Sequence, residues 1–441
     1  MDYMILIYGK WKVGSAVAEL CKYLGLPYEL KDDSDNLISY DAYESIIPSP
    51  GIPGTHAIYE TGKVASELDF AYRYMPKGFQ IVSITGTDGK STTSWIMYNI
   101  LEKEYSVKKG VHLSGNFDIP FSATILDILK KWEKKWYIVL EVSSFMSHVL
   151  REFQSDYSIF TNFKTDHQNW HTDMQEYLDA KMHIIERTTR VAVVNSQVHE
   201  FARKNQLKIK MPENSRAFSE VQISRRSPQN QVNSVEMTES RDRTDGENII
   251  INWRKKYKLS ETPLSGQHNA MNILSVGIVA SEMGICSKRV RQYLSEIYGL
   301  PHRLEKIGEK NGIVFVEDSK STSSQSLEAA LWSYGITKNL LLIVWGSDKW
   351  DVFDFLAPKF HERVKAMVCI GATKERFITI ATQENIPYLA TDVLSDGVKW
   401  LHSQAREWDV LMLSPGCASF GLFKDYLDRA NQFRECIKNL P

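Results

Sequence analysis

The sequence predicts an α/β protein of three domains: a Rossmann-like N-terminal domain, a central P-loop ATPase-type α/β domain and a C-terminal Rossmann-like α/β domain. Two observations support this prediction. Short runs of β-forming residues alternate with longer segments whose apolar residues have helical spacing. A glycine turn also stands between a strand and a helix start at two places in the chain. We place the domains at 1–76, 77–298 and 299–441.

Length and composition are those of an ordinary globular protein. The chain has 441 residues, of which 43% are hydrophobic and 24% charged, enough for two to four domains with buried cores. The formal net charge of -1 provides no overall field for nucleic acid or anionic membrane, so we expect neither as a partner. The apolar runs are too short to span a bilayer, and the start of the chain lacks a signal-peptide pattern. Five scattered cysteines without CxxC spacing indicate reduced thiols in a cytoplasm and no zinc site.

The N-terminal segment begins with a strand at 3–8, a glycine turn at 9–14 and an amphipathic helix that runs to Leu24. An acidic tip at Asp32 and Asp33 follows about twenty residues later, as in a dinucleotide-binding opening. A plain βαβ unit is the alternative interpretation, because the turn is not GxGxxG. The later turn Ser49-Pro50-Gly51-Ile52-Pro53 can present backbone amides to a ligand.

The stretch Gly86-Thr87-Asp88-Gly89-Lys90-Ser91-Thr92 carries the clearest functional signal. It lies between a strand at 79–83 and a helix start, where free N–H groups and the helix dipole favour an anion. Lys90 is placed to reach the β/γ-phosphates of a nucleotide, and the Ser91 hydroxyl can bind Mg²⁺. A hydroxyl-capped tight turn is the alternative, but Gly-Lys-Ser-Thr at this junction favours phosphate binding. Only two residues separate the glycines, which argues against the common kinase and GTPase families.

Further chemistry is expected at the carboxyl ends of neighbouring strands. Glu141 follows a strand at 136–140, and His167 follows one at 158–161. Because ligands of open α/β sheets bind at this edge, the two residues indicate a Mg²⁺-nucleotide site. Taken alone, His167 reads as a hydrogen-bonding histidine. A helix at 174–186 contains Lys181, which the sequence alone places on the surface.

The remaining segments divide into a polar stretch and a second α/β unit. Residues 204–248 predict short hairpins or a mobile loop, and the charge run at 239–246 predicts a solvated face. A helix is expected from Gly266 to about Gly284. Beyond 299, strands are expected at 313–316, 340–345, 366–370 and 410–413. Polar residues follow three of these strands, which indicates a binding face.

Seven pieces of the sequence, in order, are similar to motifs of one family. They are the short phosphate loop, Leu140-Glu-Val-Ser-Ser-Phe145, Asp166-His167, Ala180-Lys181, His268-Asn269 with Asn272, Gly299-Leu-Pro-His-Arg303 and Asp318-Ser-Lys-Ser-Thr322. The chain resembles the Mur ligases, the ATP-dependent amide ligases of peptidoglycan precursor synthesis, over essentially its whole length. It looks most like the branch that adds D-glutamate to UDP-N-acetylmuramoyl-L-alanine.

This resemblance implies roles for individual residues. Lys90 and Ser91 are expected to hold ATP phosphates and Mg²⁺, within a loop formed by Gly86, Thr87, Asp88, Gly89 and Thr92. The implied ligands of two Mg²⁺ ions are Ser91, Glu141, His167 and Lys181, the last carboxylated by CO₂. The implied nucleotide contacts are Asn269, Asn272, Arg303 and Asp318. The implied contacts to the UDP substrate are Asp32, Ser49, Gly51, Asn116 and His167. The implied contacts to the amino acid are Lys320, Thr322, Lys349, Ser419 and Tyr426.

The resemblance also implies a reaction and a setting. We expect an ADP-forming carboxylate–amine ligase that works through an acyl phosphate, with Lys90, His167 and Lys181 at the reaction centre. The expected setting is a cytoplasmic monomer that serves cell-wall biogenesis, cell shape and cell division. Two alternatives stay open: a related ligase that adds another amino acid, or glutamate to folate, and a nucleotide-binding partner without ligase activity. An Asn-Pro-Arg piece typical of the diaminopimelate-adding branch does not occur.

Overall fold

The computed structural model describes residues 4–35, 39–105, 110–131, 136–167, 170–220, 242–252, 255–264, 267–322, 324–334, 337–346, 353–417 and 422–440. Its contacts divide the chain into two compact units, Met1–Tyr298 and Gly299–Pro441. Both units consist of parallel-rich sheets with helices, which confirms the predicted α/β class. In the part of the chain that is described, no helix is long and apolar enough to cross a membrane.

The first unit opens with a three-stranded parallel sheet. Its strands are β1 (Ile5–Tyr8), β2 (Tyr28–Lys31) and β3 (Ser45–Pro48), in the order β2-β1-β3. Helix α1 (Lys12–Leu24) follows β1, and a 3₁₀ turn (Ala57–Thr61) and α2 (Glu67–Arg73) follow β3. The predicted strand, glycine turn and helix at the start of the chain are present. Gly9 has φ of +106°, and a Cβ on Gly14 would lie 1.9 Å from the Gly9 carbonyl oxygen, so this turn requires both glycines.

A nine-stranded sheet follows in the same unit. Its strands are β4 (Gln80–Thr85), β5 (Gly110–Gly115), β6 (Trp136–Glu141), β7 (Ser155–Phe160), β8 (Thr188–Asn195), β9 (Ser215–Glu220), β10 (Arg243–Thr244), β11 (Asn248–Ile251) and β12 (Lys255–Lys258). Their order is β12-β11-β10-β9-β8-β7-β4-β6-β5, and the strands from β5 to β10 in this order are parallel. The helices are α3 (Lys90–Tyr105), α4 (Phe121–Lys131), α5 (Ser144–Ser147), α6 (Met174–Glu186), α7 (Ser196–Lys204), α8 (Gln267–Glu282) and α9 (Ser287–Ser295), with a 3₁₀ turn at Leu259–Glu261.

One buried cluster joins the start of the chain to the larger sheet. Ile5 and Ile7 of β1 and Leu20 of α1 belong to the same cluster as Phe121 of α4 and Leu140 of β6. The structure therefore describes residues before and after 76 as parts of one compact unit. The division of this unit at residue 76 stays a prediction.

Part of the polar segment 204–248, which was expected to form short hairpins or a mobile loop, belongs to the nine-stranded sheet. β9 and β10 extend the parallel sheet, and β11 pairs antiparallel with β10 on one side and with β12 on the other. The prediction of a solvated face at 239–246 is wrong for Asp242, which is fully buried. Asp242 accepts hydrogen bonds from Arg216 Nε at 2.5 Å and Nη2 at 2.8 Å, and this pairing satisfies its buried charge. Residues 221–241 lie outside the described residues.

The second unit is built on a six-stranded sheet. Its strands are β13 (Glu305–Lys310), β14 (Ile313–Glu317), β15 (Leu340–Trp345), β16 (Val364–Ile370), β17 (Tyr388–Ala390) and β18 (Val410–Gly416). The order is β13-β14-β18-β15-β16-β17, and only β13 runs antiparallel to its neighbour. The helices are α10 (Ser324–Tyr334), α11 (Ala357–Arg363), α12 (Lys374–Gln383), α13 (Leu394–Gln404) and α14 (Tyr426–Lys438), with a 3₁₀ turn at Asp354–Leu356. Since β14, β18 and β15 are adjacent and parallel, their polar carboxyl ends share one edge of the sheet.

Candidate active site

The phosphate loop leaves the carboxyl end of β4 and enters α3. Its two glycines have positive φ, +144° at Gly86 and +77° at Gly89. A Cβ at Gly86 would lie 1.9 Å from Thr161 Oγ1, and one at Gly89 would lie 2.8 Å from Asn272 Oδ1. Both positions thus require glycine for conformation and for space.

The end of the neighbouring strand β7 holds this loop in place. The Asn162 carbonyl oxygen accepts from Thr87 N at 2.9 Å, and its Oδ1 accepts from Asp88 N at 2.9 Å. Thr161 Oγ1 donates to the Asp88 carbonyl at 2.6 Å. Neither Thr161 nor Asn162 was predicted as a site residue, although an asparagine directly after a strand end was a visible signal.

Lys90 is the first residue of α3, and its side chain folds back over the loop. Its Nζ donates to the carbonyl oxygens of Gly86 at 2.9 Å and Thr87 at 2.7 Å. Ser91 and Thr92 follow in the first turn and are partly exposed. The first turn of a helix has N–H groups without intrahelical acceptors, so this end of α3 suits an anion.

Lys181 reaches the same loop from α6, and the prediction that it lies on the surface is wrong. It is 1% exposed, and its Nζ donates to the Gly86 carbonyl oxygen at 2.8 Å. The Nζ also lies 4.6 Å from the centroid of the Tyr177 ring, one helical turn earlier. Burial, together with the charge of Lys90, holds the pKa of Lys181 well below its usual value. The structure thereby favours the neutral amine.

Periodicity along α6 could have indicated this burial. The buried residues of the helix are Tyr177, Leu178, Ala180, Lys181, Met182, Ile184 and Ile185. Lys181 therefore lies in the apolar stripe that faces the sheet, four residues after Tyr177 and four before Ile185. Lys181 is a charged residue at a position where the spacing of the stripe predicts an apolar one. A polar residue at such a position indicates a buried group with a function.

Glu141 ends β6 and presents a carboxylate with one unpaired oxygen. The residue is 1% exposed, and its Oε1 accepts from Asn116 Nδ2 at 2.7 Å. Its Oε2 is buried and has no hydrogen-bond partner within the described structure. A buried carboxylate oxygen without a partner is costly, and a bound cation is the usual compensation. Glu141 thus fits a Mg²⁺ ligand.

His167 lies beyond β7 in a strained backbone conformation, with φ of +54°. The backbone N–H of His167 donates to Asp166 Oδ1 at 2.8 Å, and the centroid of its ring lies 4.7 Å from that of Phe145. Burial lowers the pKa of His167, which favours the neutral ring, the form that can act as a metal ligand. The expectation that Glu141 and His167 follow neighbouring strands is wrong, because β4 lies between β6 and β7. The two residues instead flank the strand that carries the phosphate loop.

The two predicted adenine contacts on α8 differ in exposure. Asn272 is 6% exposed, and its Oδ1 accepts from Thr93 Oγ1 at 3.1 Å. Its Nδ2 donates to Asn269 Oδ1 at 3.3 Å. Asn272 therefore ties α8 to the first turn of α3, while Asn269 is partly exposed at the start of α8.

The predicted UDP contacts of the small sheet share its carboxyl edge, because β1, β2 and β3 are parallel. Ser49 follows β3, is 6% exposed and donates from Oγ to the Gly9 carbonyl at 3.1 Å. Gly51 is exposed two residues later. Asp32 follows β2 and lies 3.5 Å from Lys10 Nζ. A hydrogen bond from Ser34 lowers the pKa of Asp32, so this carboxyl stays ionised. Asn116 belongs to a different sheet, at the end of β5.

The second unit places several predicted residues together after β14. Asp318 is 4% exposed, and it accepts from Leu304 N at 3.1 Å and Ser414 Oγ at 2.7 Å. Burial raises the pKa of Asp318 to about 7. Lys320 Nζ lies 5.3 Å from the centroid of the Tyr426 ring, while Thr322 and the exposed Arg303 flank this turn. Lys349 and Ser419 lie outside the described residues.

Sequence reasoning missed Arg429, which organises the same edge. This residue of α14 is fully buried, and its Nη2 donates to the Ser319 carbonyl at 2.6 Å. Burial lowers its pKa to about 10. A lone arginine within a helix gives no signal in sequence, because only the fold brings it under the 318–322 turn.

Fold and site together define a class of protein. They are typical of an α/β protein that binds nucleotide phosphates with a cation. The features that indicate this are the parallel sheet, the glycine loop at a helix start, the two lysine amines on one loop carbonyl and the unpaired buried carboxylate oxygen. Comparison with known proteins narrows this class. A family model described as the Mur ligase middle domain matches residues 84–280.

Curated relatives match over nearly the full length. The chain is 31% identical to the UDP-N-acetylmuramoylalanine--D-glutamate ligase of a Hydrogenobaculum species, with 98% of each chain covered. It is 29% identical to the protein of the same name from Aquifex aeolicus, again with 98% of each covered. The chain belongs to the Mur ligase family.

Solved structures agree in fold. The UDP-N-acetylmuramate-alanine ligase of Thermotoga maritima aligns with a TM-score of 0.58 at 15% identity, over 99% of each chain. A second ligase of this family from the same organism, MurF in complex with ADP, aligns with a TM-score of 0.57 at 14% identity, over 99% of this chain and 94% of the other. At these identities the structures support the fold alone.

Proposed function

We propose that this chain is an ATP-dependent, ADP-forming ligase that joins D-glutamate to UDP-N-acetylmuramoyl-L-alanine in peptidoglycan precursor synthesis. The name of its full-length relatives supports the substrates. The observation that carries the chemistry is the convergence of Lys90 and Lys181 on the Gly86 carbonyl, where burial and then the charge of Lys90 lower the pKa of Lys181. This arrangement surrounds the phosphate loop with the groups that phosphoryl transfer needs.

ATP phosphates would bind across the loop from Gly86 to Thr92, with Lys90 turned from the carbonyls that it now contacts toward the β/γ-phosphates. Asn269 and Asn272 would face the adenine, and Arg303 and Asp318 the ribose and phosphates. Mg²⁺ polarises phosphate oxygens when it is bound. Ser91, Glu141, His167 and a carboxylated Lys181 would hold two such ions, and the unpaired Glu141 Oε2 supports this assignment.

Carboxylation of Lys181 is part of the proposal. Burial and the lowered pKa favour the neutral amine, which is the form that attacks CO₂. The new N–C bond and the loss of one proton from nitrogen give a carbamate, whose oxygens are ligands that Mg²⁺ prefers. The modification thus replaces a buried amine by an anion near Glu141 and His167.

The reaction proceeds in two steps. An oxygen of the substrate carboxylate attacks the γ-phosphorus of ATP, the bond to the bridging oxygen breaks, and ADP and an acyl phosphate form. The amine of D-glutamate then attacks the acyl carbon, and the tetrahedral adduct expels phosphate as the nitrogen loses a proton. Lys90 stabilises the charge that develops on the transferred phosphoryl group. The proposed contacts to the UDP substrate are Asp32, Ser49, Gly51 and Asn116. The proposed contacts to the two carboxylates of glutamate are Lys320, Thr322, Lys349, Ser419 and Tyr426.

The proposed setting is a cytoplasmic monomer. The deciding experiment measures phosphate release by the purified chain with ATP, Mg²⁺ and UDP-N-acetylmuramoyl-L-alanine, with one candidate amino acid at a time. We expect release with D-glutamate and no comparable release with L-lysine, L-alanine or diaminopimelate. Release with another amino acid alone contradicts the substrate, and no release with any of them contradicts the ligase activity.

Lys90 provides the sharpest test of the chemical step. We expect Lys90→Ala to lower kcat by about 10² or more, since it removes a donor that stabilises charge in the transition state. Lys103→Ala is the matched control, because Lys103 lies near the other end of α3 in a pair with Glu296. An unchanged kcat in Lys90→Ala would contradict the proposed role of this residue.

A further inference from the structure

Two histidines and a glutamate converge beside the candidate active site without a role in the proposed reaction. His148 follows α5, His171 lies in the turn before α6, and Glu176 is in the first turn of α6. Glu176 Oε1 lies 3.3 Å from His148 Nδ1 and 3.4 Å from His171 Nδ1. The three ligand atoms all lie within 4.8 Å of one another. We refer to these residues as the His148–His171–Glu176 cluster.

The two separations from Glu176 Oε1 match those between ligands of a tetrahedral metal ion. Zinc binds histidine nitrogen and carboxylate oxygen at about 2.0–2.2 Å, which places adjacent tetrahedral ligands about 3.3–3.5 Å apart. Both measured separations from Glu176 Oε1 fall at this spacing. Two imidazoles and one carboxylate are also the donor set of catalytic zinc sites with an open fourth position.

Outer partners already orient two of the ligands. His171 Nε2 lies 2.9 Å from Ser144 Oγ, so a metal on Nδ1 would leave Nε2–H to donate to this hydroxyl. Thr172 donates to Glu176 Oε2 from its backbone N–H at 2.8 Å and from its hydroxyl, which leaves Oε1 toward the histidines. Such partners of the non-ligating atoms are typical of metal sites in proteins.

Space for a fourth ligand exists beside two of the three residues, His148 and Glu176. A cavity of about 290 Å³ is lined by residues that include His148, Glu176, Asp173 and Asp179. It is large enough for a metal-bound water and for a small ligand. The ring of Trp170 packs 4.5 Å from that of His171 and 5.2 Å from that of His148, which shields both histidines where the rings meet.

A second cluster of similar composition shows the contrast. His302, Glu305 and Glu317 in the other unit also bring their ligand atoms together. There Arg434 Nη2 donates to Glu305 at 2.6 Å and to Glu317 at 3.1 Å, so a cation already balances both carboxylates. That cluster is an ion-pair network and carries no metal proposal.

We propose that the His148–His171–Glu176 cluster binds one divalent transition-metal ion, with Zn²⁺ the ion that its donors and spacing fit. The site is distinct from the proposed Mg²⁺ ligands and does not depend on the proposed ligase activity. Bound metal would connect the end of α5 to the start of α6 and so hold His171, whose backbone N–H donates to the His167 carbonyl at 3.1 Å. The scattered cysteines predicted no zinc site, but that pattern bears only on cysteine ligands.

The test titrates the purified full-length chain with Zn²⁺ alone, in excess Mg²⁺ and against a competing chromogenic chelator. We expect the chain to bind one equivalent of Zn²⁺ that Mg²⁺ does not displace. In His148→Gln and Glu176→Gln, this binding should be lost or its affinity weakened by about 100-fold or more. Thr172→Val should weaken binding by about 10-fold, as loss of an outer partner does. His199→Gln, at an exposed histidine of α7, is the matched control and should bind as the unchanged chain does.

Thermal unfolding provides an independent readout. Zn²⁺ should raise the Tm of the unchanged chain and of His199→Gln, but not that of Glu176→Gln. Co²⁺ in the same site should give the intense visible absorption of tetrahedral coordination. His148 and Glu176 are partly exposed, so their variants should fold even if a change at the buried His171 does not. Absence of a bound equivalent, or an affinity unchanged in both His148→Gln and Glu176→Gln, would overturn the proposal.

Discussion

At the scale of single residues, one carbonyl oxygen organises the candidate site. The Gly86 oxygen accepts from Lys90 at 2.9 Å and from Lys181 at 2.8 Å, which brings two basic side chains to one acceptor. Two cations at this spacing repel each other, and burial penalises the less exposed one. The fold thus prepares Lys181 to lose its proton, while Lys90 remains partly exposed at the helix start.

This asymmetry predicts a modification at Lys181. With ¹³C-labelled bicarbonate, Mg²⁺ and nucleotide present, we expect a carbamate carbon resonance in the NMR spectrum of the unchanged chain. Lys181→Gln should lack it, and Lys164→Gln, at an exposed lysine near the loop, should retain it. An unchanged spectrum on adding labelled bicarbonate would contradict carboxylation.

A second residue-scale prediction concerns pH. Burial raises the pKa of Asp318 from 3.8 to about 7, so the folded state favours the protonated carboxyl. Its stabilisation is complete below the unfolded pKa, near pH 4, and is lost as pH rises through about 7. Relative to Asp318→Asn, the free energy of unfolding should fall by on the order of 4 kcal/mol across this window, at about 1.4 kcal/mol per pKa unit.

Urea unfolding followed by circular dichroism, between about pH 4 and about pH 8, measures this difference. Asp396→Asn, at an exposed residue of α13, is the control and should parallel the unchanged chain. Parallel curves for the unchanged chain and Asp318→Asn would show that the carboxyl titrates as it does in the unfolded state.

At the scale of elements, the loop between β4 and α3 works because the end of β7 closes against it. Thr161 Oγ1 and both functional atoms of the Asn162 side chain bond to the loop backbone. The strand order β7-β4-β6 puts this support on one side and Glu141 on the other. The nucleotide loop is therefore held in place by the end of β7 before any ligand binds.

Close packing at Gly86 makes a clear element-scale prediction. We expect Gly86→Ala to abolish nucleotide binding, because the added Cβ would lie 1.9 Å from Thr161 Oγ1 and displace the loop. Gly62→Ala is the control: Gly62 also has positive φ, +69°, but nothing within 4 Å of an added Cβ. That control should cost only backbone strain, about 1–2 kcal/mol. Calorimetric titration with ADP and Mg²⁺ measures the effect, and equal affinity of both variants would show that the loop adjusts.

At the scale of the whole molecule, each buried cluster of the described residues lies within one of the two units. Two clusters belong to Gly299–Pro441, built around Val316, Leu342 and Met412 on one face of the sheet and Phe315, Ile343 and Leu413 on the other. Alternate residues of each strand thus serve opposite faces, as a sheet covered by helices on both sides requires. This unit has a complete hydrophobic core of its own.

Independent folding of the second unit follows. We expect a fragment of residues 299–441 to unfold cooperatively in urea with native-like near-ultraviolet circular dichroism, because both of its buried apolar clusters lie within the fragment. A fragment of residues 340–441, which lacks β13 and β14, is the control and should not fold. A gradual transition for 299–441 would mean that its core depends on the rest of the chain.

Much of the fold was predictable because its signals are local. The buried run at 340–345, the helix at 174–186 and the glycine loop each depend on spacing within about a dozen residues. Strands with mixed or short patterns were missed, among them β13, β17 and β12, because their pairing comes from neighbours in space. Asp242 was placed in solvent for the same reason, since its partner Arg216 is 26 residues away.

The sequence by itself determined the phosphate loop, its short glycine spacing and the order of motifs that identifies the family, because each depends on residues adjacent in the chain. Only the tertiary structure decided that Lys181 is buried on the Gly86 carbonyl, that Glu141 keeps an unpaired oxygen and that His148, His171 and Glu176 meet. These properties depend on the sheet order and on which helix face is covered. Burial and proximity arise from packing between distant segments, and local spacing does not encode them.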